Sequence, residues 1–295
     1  MNFRNAQELL LLCREEKCLI SEIMIRRECT LQEKTREEVL GQMGKAWEIM
    51  QHSAHDPIQN PTRSMGGLIG GEAALLTASR LKGKTFCGET VTRAITYAMA
   101  VLEGNATMGL VVASPTAGSS GVVPGVLLAL KDTMGLEDEE VIRALFHASA
   151  VGYLAMRNAT VAGAVGGCQA EVGTASAMAA SAVTELLGGT PEQSLNAASI
   201  VLMNMLGLVC DPIGGLVECP CQMRNAAGAA NALIAAEISL SGVKQPIPFD
   251  EMLEAMYAVG KRLPQELRET AMGGCAATPT ACALCGKKHE RSQAS

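Results

Sequence analysis

The sequence predicts an all-α protein, a compact bundle of buried small-residue helices joined by glycine-rich loops. Apolar residues make up 48% of the chain but aromatic residues only 3%. The core must therefore consist mainly of Ala, Leu, Met and Val, and small side chains let helices approach closely. Segments with a helical period recur along the chain, whereas the alternating pattern of strands is nearly absent.

The domain organisation is predicted from the absence of an internal repeat, a low-complexity linker or a clear boundary in the sequence. We therefore expect one helical domain over residues 1–295, a length compatible with one large domain. Within it, residues 1–60 form an N-terminal helical part, and residues 281–295 form a flexible C-terminal tail.

In the first half of the chain, the elements follow from capping and loop patterns. Thr30 is followed three residues later by Glu33, which is the pattern of a capping box, so a long amphipathic helix should begin there. Pro, Asn and Gly residues predict a loop over 55–71. The following segments are predicted as helices over 72–81 and 90–103 and as a short strand over 108–113.

In the second half, a glycine-serine loop over 114–125 leads into a helix over 126–134. Thr190, Pro191 and Gln193 together form a strong helix start, with a cap, a proline at the first position and a capping-box partner. The remaining helices are predicted over 137–156, which is acidic in its first turn, 221–242, and 248–263.

Charge and hydropathy exclude several classes of function. The net charge is −6 and no block of Lys and Arg occurs, so we expect no nucleic-acid partner. The N-terminal apolar run, Leu9 to Leu12, is short and is followed at once by charged residues, unlike a signal peptide. The uncharged stretch 104–130 could span a bilayer by length, but lipid could not satisfy its Gly-Ser-Pro loop. We expect a cytoplasmic protein with no membrane partner.

Eleven cysteines without an export signal favour thiol chemistry or metal ligation over disulfides. Three of them, Cys168, Cys210 and Cys221, lie beside predicted helix ends in Gly- or Pro-rich loops, where a thiolate can be stabilised. Spacing alone leaves shared metal binding by these three undecided. Packing is the expected role of the cysteines on helical or ordinary stretches, Cys13, Cys18, Cys29 and Cys87.

The other cysteines do not match a zinc finger. Cys219 and Cys221 form a C-x-C pair, which does not suit two ligands of a tetrahedral zinc. Cys282 and Cys285 have zinc-like spacing but lack a matching second pair.

Long motifs carry a resemblance to a known family. In chain order they are GGLIGGEA, SPTAGSSGVVPGVLLALK, GGCQAEVGTASAMAA, NMLGLVCDPIGGLVECPCQMRNA and YAVGKRLPQELRETAMGGCAATPT. Together they resemble the α chain of the bacterial iron–sulfur-dependent L-serine dehydratases. The resemblance runs from about Gly66 to Thr280.

The resemblance implies a helical catalytic domain with an oxygen-sensitive [4Fe–4S] cluster on Cys168, Cys210 and Cys221. One iron would remain open, and in some single-chain relatives a C-terminal cysteine returns to the cluster, so Cys282 or Cys285 could be a fourth ligand. The sequence departs from the pattern at Cys219, where an apolar residue is expected, and in its cysteine-rich tail. Cys219 could therefore compete with Cys221.

The implied reaction is the dehydration and deamination of L-serine to pyruvate and ammonia without pyridoxal phosphate, with this chain as the α subunit. Two neighbouring reactions stay open, the desulfhydration of L-cysteine and the dehydration of L-threonine. A third alternative is a non-catalytic helical scaffold that holds a structural zinc.

The substrate carboxylate needs hydrogen-bond donors. The loop over 114–121, which lies just before a predicted helix, is a suitable anion site. The alternative is a tight helix-entry loop without a ligand. Asn158 is a further polar candidate. The substrate-binding residues predicted from this reasoning and from the resemblance are Ser114, Thr116, Gly118, Ser119, Ser120 and Asn158.

The general base stays unassigned. None of the histidines, His52, His55, His147 and His289, lies in a matching motif, and His147 is expected to pack within a helix. In the resembled family a β chain or N-terminal domain supplies a Ser-Ser-His-Thr segment. We therefore expect this chain to be the α chain alone and to form a heterodimer or higher assembly with a β chain, which could supply the base. If the isolated chain is active, His55 is the first candidate.

Overall fold

The structure, a computed structural model, describes residues 1–286 and confirms the all-α prediction. Within these residues the only strand-like pairing is an isolated bridge between Cys210 and Arg268. The α-helices are α1 (Ala6–Glu15), α2 (Ile20–Gln32), α3 (Arg36–Gln59), α4 (Glu72–Leu81), α5 (Gly88–Ala106), α6 (Val122–Met134), α7 (Asp138–Asn158), α8 (Gly163–Gly166), α9 (Thr174–Leu186), α10 (Pro191–Met205), α11 (Cys221–Leu240), α12 (Phe249–Arg262) and α13 (Pro279–Leu284).

The centre of the fold is α9, in which every residue from Thr174 to Thr184 is buried. It is surrounded by α7, α10 and α11, while α5 packs against α6 and α11. The sequence of α9, TASAMAASAVTEL, is almost entirely small. Small side chains on all sides let several helices approach one axis closely, as the composition predicted.

Glycine permits the closest helix contact, between α5 and α6. A Cβ added to Gly125 would lie 2.8 Å from the backbone nitrogen of Ala98, and one added to Gly121 would lie 2.2 Å from the Ala98 carbonyl oxygen. Both distances are shorter than atoms tolerate. The two helices therefore meet backbone to backbone.

The structure confirms one predicted capping box and corrects the other. Gln193 N–H donates to Thr190 Oγ1 at 3.2 Å, and Thr190 N–H donates to Gln193 Oε1 at 2.9 Å. The expected helix start at Thr30 is wrong, because Thr30 lies inside α2 and its hydroxyl donates to the Arg26 carbonyl. Five residues later, Thr35 and Glu38 form the capping box of α3.

Two loop and strand predictions were also wrong. Helix α3 continues to Gln59 through the start of the expected loop, with Pro57 buried inside it. Glycine at position 104 of α5 leaves room for the Pro57 ring, so packing between these helices outweighs the helix-breaking tendency of proline. The expected strand over 108–113 is an irregular segment, since no described strand pairs with it.

One large core of buried side chains connects most of the helices. It includes side chains from Phe3 and Leu9 near the N-terminus to Met256 in α12, and α2 packs against α7. The first residues of the predicted tail belong to α13, while 287–295, including His289, lie outside the described residues. In the described part, no helix has both the length and the apolar character to cross a membrane.

Candidate active site

The structure brings the three predicted cysteines to one buried region. Cys168 precedes a π-helical turn, Gln169–Gly173, and Cys221 is the first residue of α11. Cys168 is 3% exposed, Cys210 4% and Cys221 9%. Burial and then the neighbouring Cys168 raise the pKa of both Cys210 and Cys221, the latter to about 12. These mutual effects indicate that the three thiols share one electrostatic environment.

The same effects correct the expectation of easily formed thiolates. Burial also raises the pKa of Cys168 to about 12, although the Arg224 guanidinium acts to lower it. The start of α11 at Cys221 does not outweigh burial. Burial therefore favours the neutral form of these thiols, and a metal or cluster bound by them would release their protons.

Backbone hydrogen bonds hold Cys210 against the segment that follows α12. Cys210 N–H donates to the Leu267 carbonyl at 2.9 Å, and the Cys210 carbonyl accepts from Glu269 N–H at 2.6 Å. On the other side, Gln169 N–H donates to the Leu208 carbonyl at 2.9 Å. The Cys210 loop is thus fastened both to the Cys168 turn and to the segment after α12.

A buried ion pair braces the same loop. Asp211 is 2% exposed, and its Oδ1 lies 2.7 Å from Arg224 Nη1 in the first turn of α11. Its Oδ2 accepts from Cys275 N–H at 2.6 Å, and Arg224 Nη1 also donates to the Val209 carbonyl at 2.8 Å. The pair therefore connects the loop to the helix that carries Cys221 and to the C-terminal segment.

A half-buried carboxylate, Glu171, lies among these elements. Gly118 and Gly163 both border it, because a Cβ added to either would lie 3.2 or 3.3 Å from its Oε2. The one added to Gly163 would also lie 3.0 Å from Cys210 Sγ. Burial and the nearby Glu269 raise the pKa of Glu171 to about 7, while the Gly163 N–H and the Thr116 hydroxyl act to lower it. Glu171 thus connects the loop of Gly118 with the thiols.

The hydroxyl groups of the loop over 114–121 have several different surroundings. Thr116 and Ser119 hydroxyls lie 3.0 Å apart, and Ser120 Oγ donates to the Ala117 carbonyl at 2.7 Å. The Ser114 hydroxyl is buried without a hydrogen-bond partner, and its residue borders a cleft of about 380 Å³ whose lining includes several methionines. Thr116 and Gly118 face Glu171, and Asn225 Nδ2 holds the Gly118 carbonyl at 2.8 Å.

Comparison with known proteins identifies the family. A family model described as the serine dehydratase alpha chain matches residues 15–276. The chain belongs to this family. A Bacillus subtilis protein named as a probable L-serine dehydratase, alpha chain, is 49% identical over 278 residues, which are 94% of this chain and 92% of that protein. The L-serine dehydratase alpha chain of Peptoniphilus asaccharolyticus is 40% identical over 93% of this chain and 94% of its own length.

Longer relatives match as well. The L-serine dehydratase of Streptomyces coelicolor is 37% identical over 283 residues, which are 95% of this chain but only 62% of that protein. These relatives therefore contain a further region that this chain does not match.

Three other residues named in the sequence analysis lie on α7 and α3, outside the cysteine and serine loops of this serine dehydratase family chain. Asn158 is exposed, and its amide donates to the Arg4 carbonyl at 2.8 Å near the N-terminus. His147 is fully buried, as expected, and its ring nitrogens lie 2.7 Å from Ser181 Oγ and 2.8 Å from Glu185 Oε2. His55 lies in α3 and stacks edge-on against Tyr97.

The sequence reasoning missed two buried carboxylates that support the site. Glu218, three residues before Cys221, accepts hydrogen bonds from Ser64 Oγ and from the N–H groups of Gly66 and Leu68. Glu103, which is 1% exposed in α5, holds Ala73 N–H and Gln222 Nε2, both at 2.9 Å. A glutamate among apolar helix residues is the sequence pattern that could have indicated Glu103.

The additional cysteines form a second group beside the first. Cys219 and Cys275 both lie near the Asp211–Arg224 pair, whose charges act on both thiols. Cys285 Sγ lies next to Gly214, within the loop between Cys210 and Cys221. In residues 1–286, no three His, Cys, Asp or Glu side chains are grouped to hold a single metal ion.

Proposed function

We propose that this chain is the α subunit of an enzyme that dehydrates and deaminates L-serine to pyruvate and ammonia in the cytoplasm. One observation carries the proposal: in a chain of the serine dehydratase family, the buried thiol of Cys168 acts on the buried thiols of Cys210 and Cys221, which lie about 40 to 50 positions later in the sequence. The relatives whose names state an activity are L-serine dehydratases, which favours serine over cysteine or threonine.

We assign the cofactor as a [4Fe–4S] cluster held by Cys168, Cys210 and Cys221. Thiolates are the usual protein ligands of such clusters. Each ligand of a four-iron cluster binds a different iron, so the ligands lie further apart than those of one ion. When bound, the cluster supplies a Lewis acid at its open iron that polarises the substrate hydroxyl, and no pyridoxal phosphate is needed.

The protein's own residues bind the substrate and move its proton. We assign the serine carboxylate to the turn of Thr116, Gly118, Ser119 and Ser120 before α6. The N–H groups of Ser119 and Ser120 bond within the turn, which leaves those of Ala117 and Gly118 as the donors. Glu171 borders both this turn and Cys210, so we assign it to accept the α-proton. Ser114 is given no role in this assignment, because its hydroxyl has no hydrogen-bond partner and its residue lines a separate cleft.

Asn158 takes no part in this assignment, because its amide is engaged with the Arg4 carbonyl. For the possible fourth cluster ligand, Cys285 is favoured over Cys282, because its sulfur lies against Gly214 in the loop that joins two proposed ligands.

A β chain completes the enzyme in this proposal. The relatives of matching length are named as alpha chains, while the single-chain L-serine dehydratases contain a further region beyond the matched part. The β chain would supply that region.

Metal and sulfide analysis of the anaerobically purified chain tests the proposal. We expect about four irons and about four sulfides per chain, with the brown absorbance of an iron–sulfur protein. One zinc with no sulfide would instead support the scaffold alternative. After reconstitution, kcat/KM for L-serine should exceed the values for L-cysteine and L-threonine.

A further inference from the structure

One helix of the protein is barely covered. In α4 only Ala73 is buried, although the helix contains three leucines. An isolated helix of ten residues is marginal in water and depends on packing for its stability. Large apolar side chains on α4 and the segments beside it are 70% to 99% exposed; they are Met65, Leu75, Leu81, Phe86, Met108 and Leu110, here called the α4 strip.

The members of the α4 strip lie on α4 and on the segments beside it. Helix α4 runs antiparallel to α5, because Ala73 N–H bonds to Glu103 near the end of α5 and Arg80 pairs with Glu89 near its start. Met65 N–H donates to the Ala106 carbonyl at 3.2 Å, which places Met65 beside the segment of Met108 and Leu110. The strip therefore extends along α4, over about 15 Å. Several large apolar side chains exposed around one helix are typical of an interaction site.

Hydrogen bonds connect the strip to the proposed active site. The segment that begins the strip is held by Glu218, which accepts from Ser64 Oγ at 2.7 Å and from Gly66 N–H at 2.6 Å. Glu218 itself belongs to the loop that ends at Cys221. A protein bound to the strip would therefore affect the position of the loop that carries Cys221, a proposed cluster ligand.

The strip also differs from the rest of the chain in charge. Residues 60–89 contain four basic residues and two acidic residues, whereas the whole chain has a net charge of −6. Arg80 pairs with Glu89, which leaves three basic residues. Arg63, Lys82 and Lys84 are exposed at the borders of the strip. An apolar face with an acidic rim is the complementary surface.

We infer that the α4 strip is the docking surface for the β chain, which covers it with an apolar face rimmed by acidic side chains. This inference rests on the proposed function, which requires a β chain to complete the site. The single-chain relatives carry their additional region in the same polypeptide, so that region must lie against a surface equivalent to one on this chain. The strip is apolar, basic at its rim and joined to the cysteine loop, as such a surface requires.

The test measures the affinity between the full α chain, loaded with its cluster, and the separately purified cognate β chain by calorimetry. Leu75→Ser and Phe86→Ser should each raise the dissociation constant at least tenfold. The matched control is Leu31→Ser, because Leu31 is 57% exposed on α2 outside the strip, and it should leave the affinity unchanged. Iron content and helical circular dichroism should be the same in all four proteins.

A second pair of variants tests the charge of the rim without removing apolar contacts. Lys82→Glu and Lys84→Glu should weaken β-chain binding, and added salt should weaken binding of the unmodified chain. Unchanged affinity in both the apolar and the charge variants would overturn the inference. If the apolar variants lose self-association of the α chain but still bind the β chain, the inference is overturned, and the strip is an interface between two α chains. A zinc-containing chain that still binds the β chain through the strip would refute the proposed function alone.

Discussion

At the scale of single residues, neighbouring cysteines in one short segment have different surroundings. Cys221 is buried with Cys168 and Cys210, whereas Cys219 lies beside Asp211 and Arg224 and is partly exposed. Two positions along the chain thus separate a proposed cluster ligand from a thiol outside the cluster.

Replacing Cys168, Cys210 or Cys221 singly with Ser should therefore abolish the brown absorbance and the activity together, because a hydroxyl is a much poorer iron ligand. Cys219→Ser should retain both. Iron content, the visible spectrum and turnover of the anaerobically purified variants are the measurements. A colourless Cys219→Ser protein beside a brown Cys221→Ser protein would place the ligand two residues earlier.

Glu171 can be tested without disturbing the thiols. Glu171→Gln keeps the shape and the hydrogen bonds from the Gly163 and Thr116 side but cannot accept a proton. We expect kcat to fall by about 10² or more, as for the loss of a general base, with cluster content unchanged. Glu139→Gln, on the exposed first turn of α7, is the control. Near-normal turnover of Glu171→Gln would move the base to the β chain.

At the scale of elements, the contact between α5 and α6 depends on glycine. Gly125→Ala should lower the free energy of unfolding by about 1–3 kcal/mol, because the added methyl must displace the α5 backbone. The matched control is Gly41→Ala, an exposed position of α3 with no atom within 4 Å of the added Cβ. There the same substitution should stabilise the protein by about 0.5–1 kcal/mol. Anaerobic thermal unfolding of both variants measures these two changes in the free energy of unfolding, which should have opposite signs. Equal changes in the two variants would contradict this packing.

A side chain of α9 caps another helix. Leu19, the N-cap of α2, makes no side-chain bond, and Glu185 Oε2 instead accepts from Ile20 N–H at 2.9 Å. Burial alone would raise the pKa of Glu185, but His147 and the N–H and hydroxyl of Ser21 outweigh it, so the pKa is lowered. The ionised carboxylate therefore stabilises the folded state.

Because its folded-state pKa is lowered, this contribution should be complete above the ordinary glutamate pKa of about 4.3 and be lost as the pH falls through the folded-state value. Glu185→Gln should be less stable at neutral pH and show a shallower loss of stability between about pH 5 and pH 3. Denaturation midpoints across this range are the measurement. Parallel curves for the two proteins would show that Glu185 does not contribute.

At the scale of the whole molecule, the proposed site is built from segments far apart in sequence, and a β chain completes it in the proposed function. The isolated chain should therefore bind its cluster but turn over L-serine slowly. Adding the cognate β chain should restore turnover in proportion to complex formed, as followed by pyruvate release. Full activity of the isolated chain would show that all substrate contacts, and not only the proposed proton acceptor Glu171, lie within this chain.

The sequence by itself determined the helical class and the helix start at Thr190, and it singled out the three thiols for the proposed chemical role. These properties depend on local interactions: capping within one turn, helical periodicity, and the residues that border a cysteine. Long motifs also identified the family before any coordinates were known.

Only the tertiary structure decided which distant groups meet. It places Glu171 between the loop of Gly118 and Cys210, and Glu218 under the segment of Ser64 and Gly66. It also carried α3 through Pro57, because packing against α5 outweighed local preference, whereas the start of that helix at Thr35 is a capping box within one turn. Contacts between residues more than a hundred positions apart are set by how the helices pack, and no local pattern in the sequence records them.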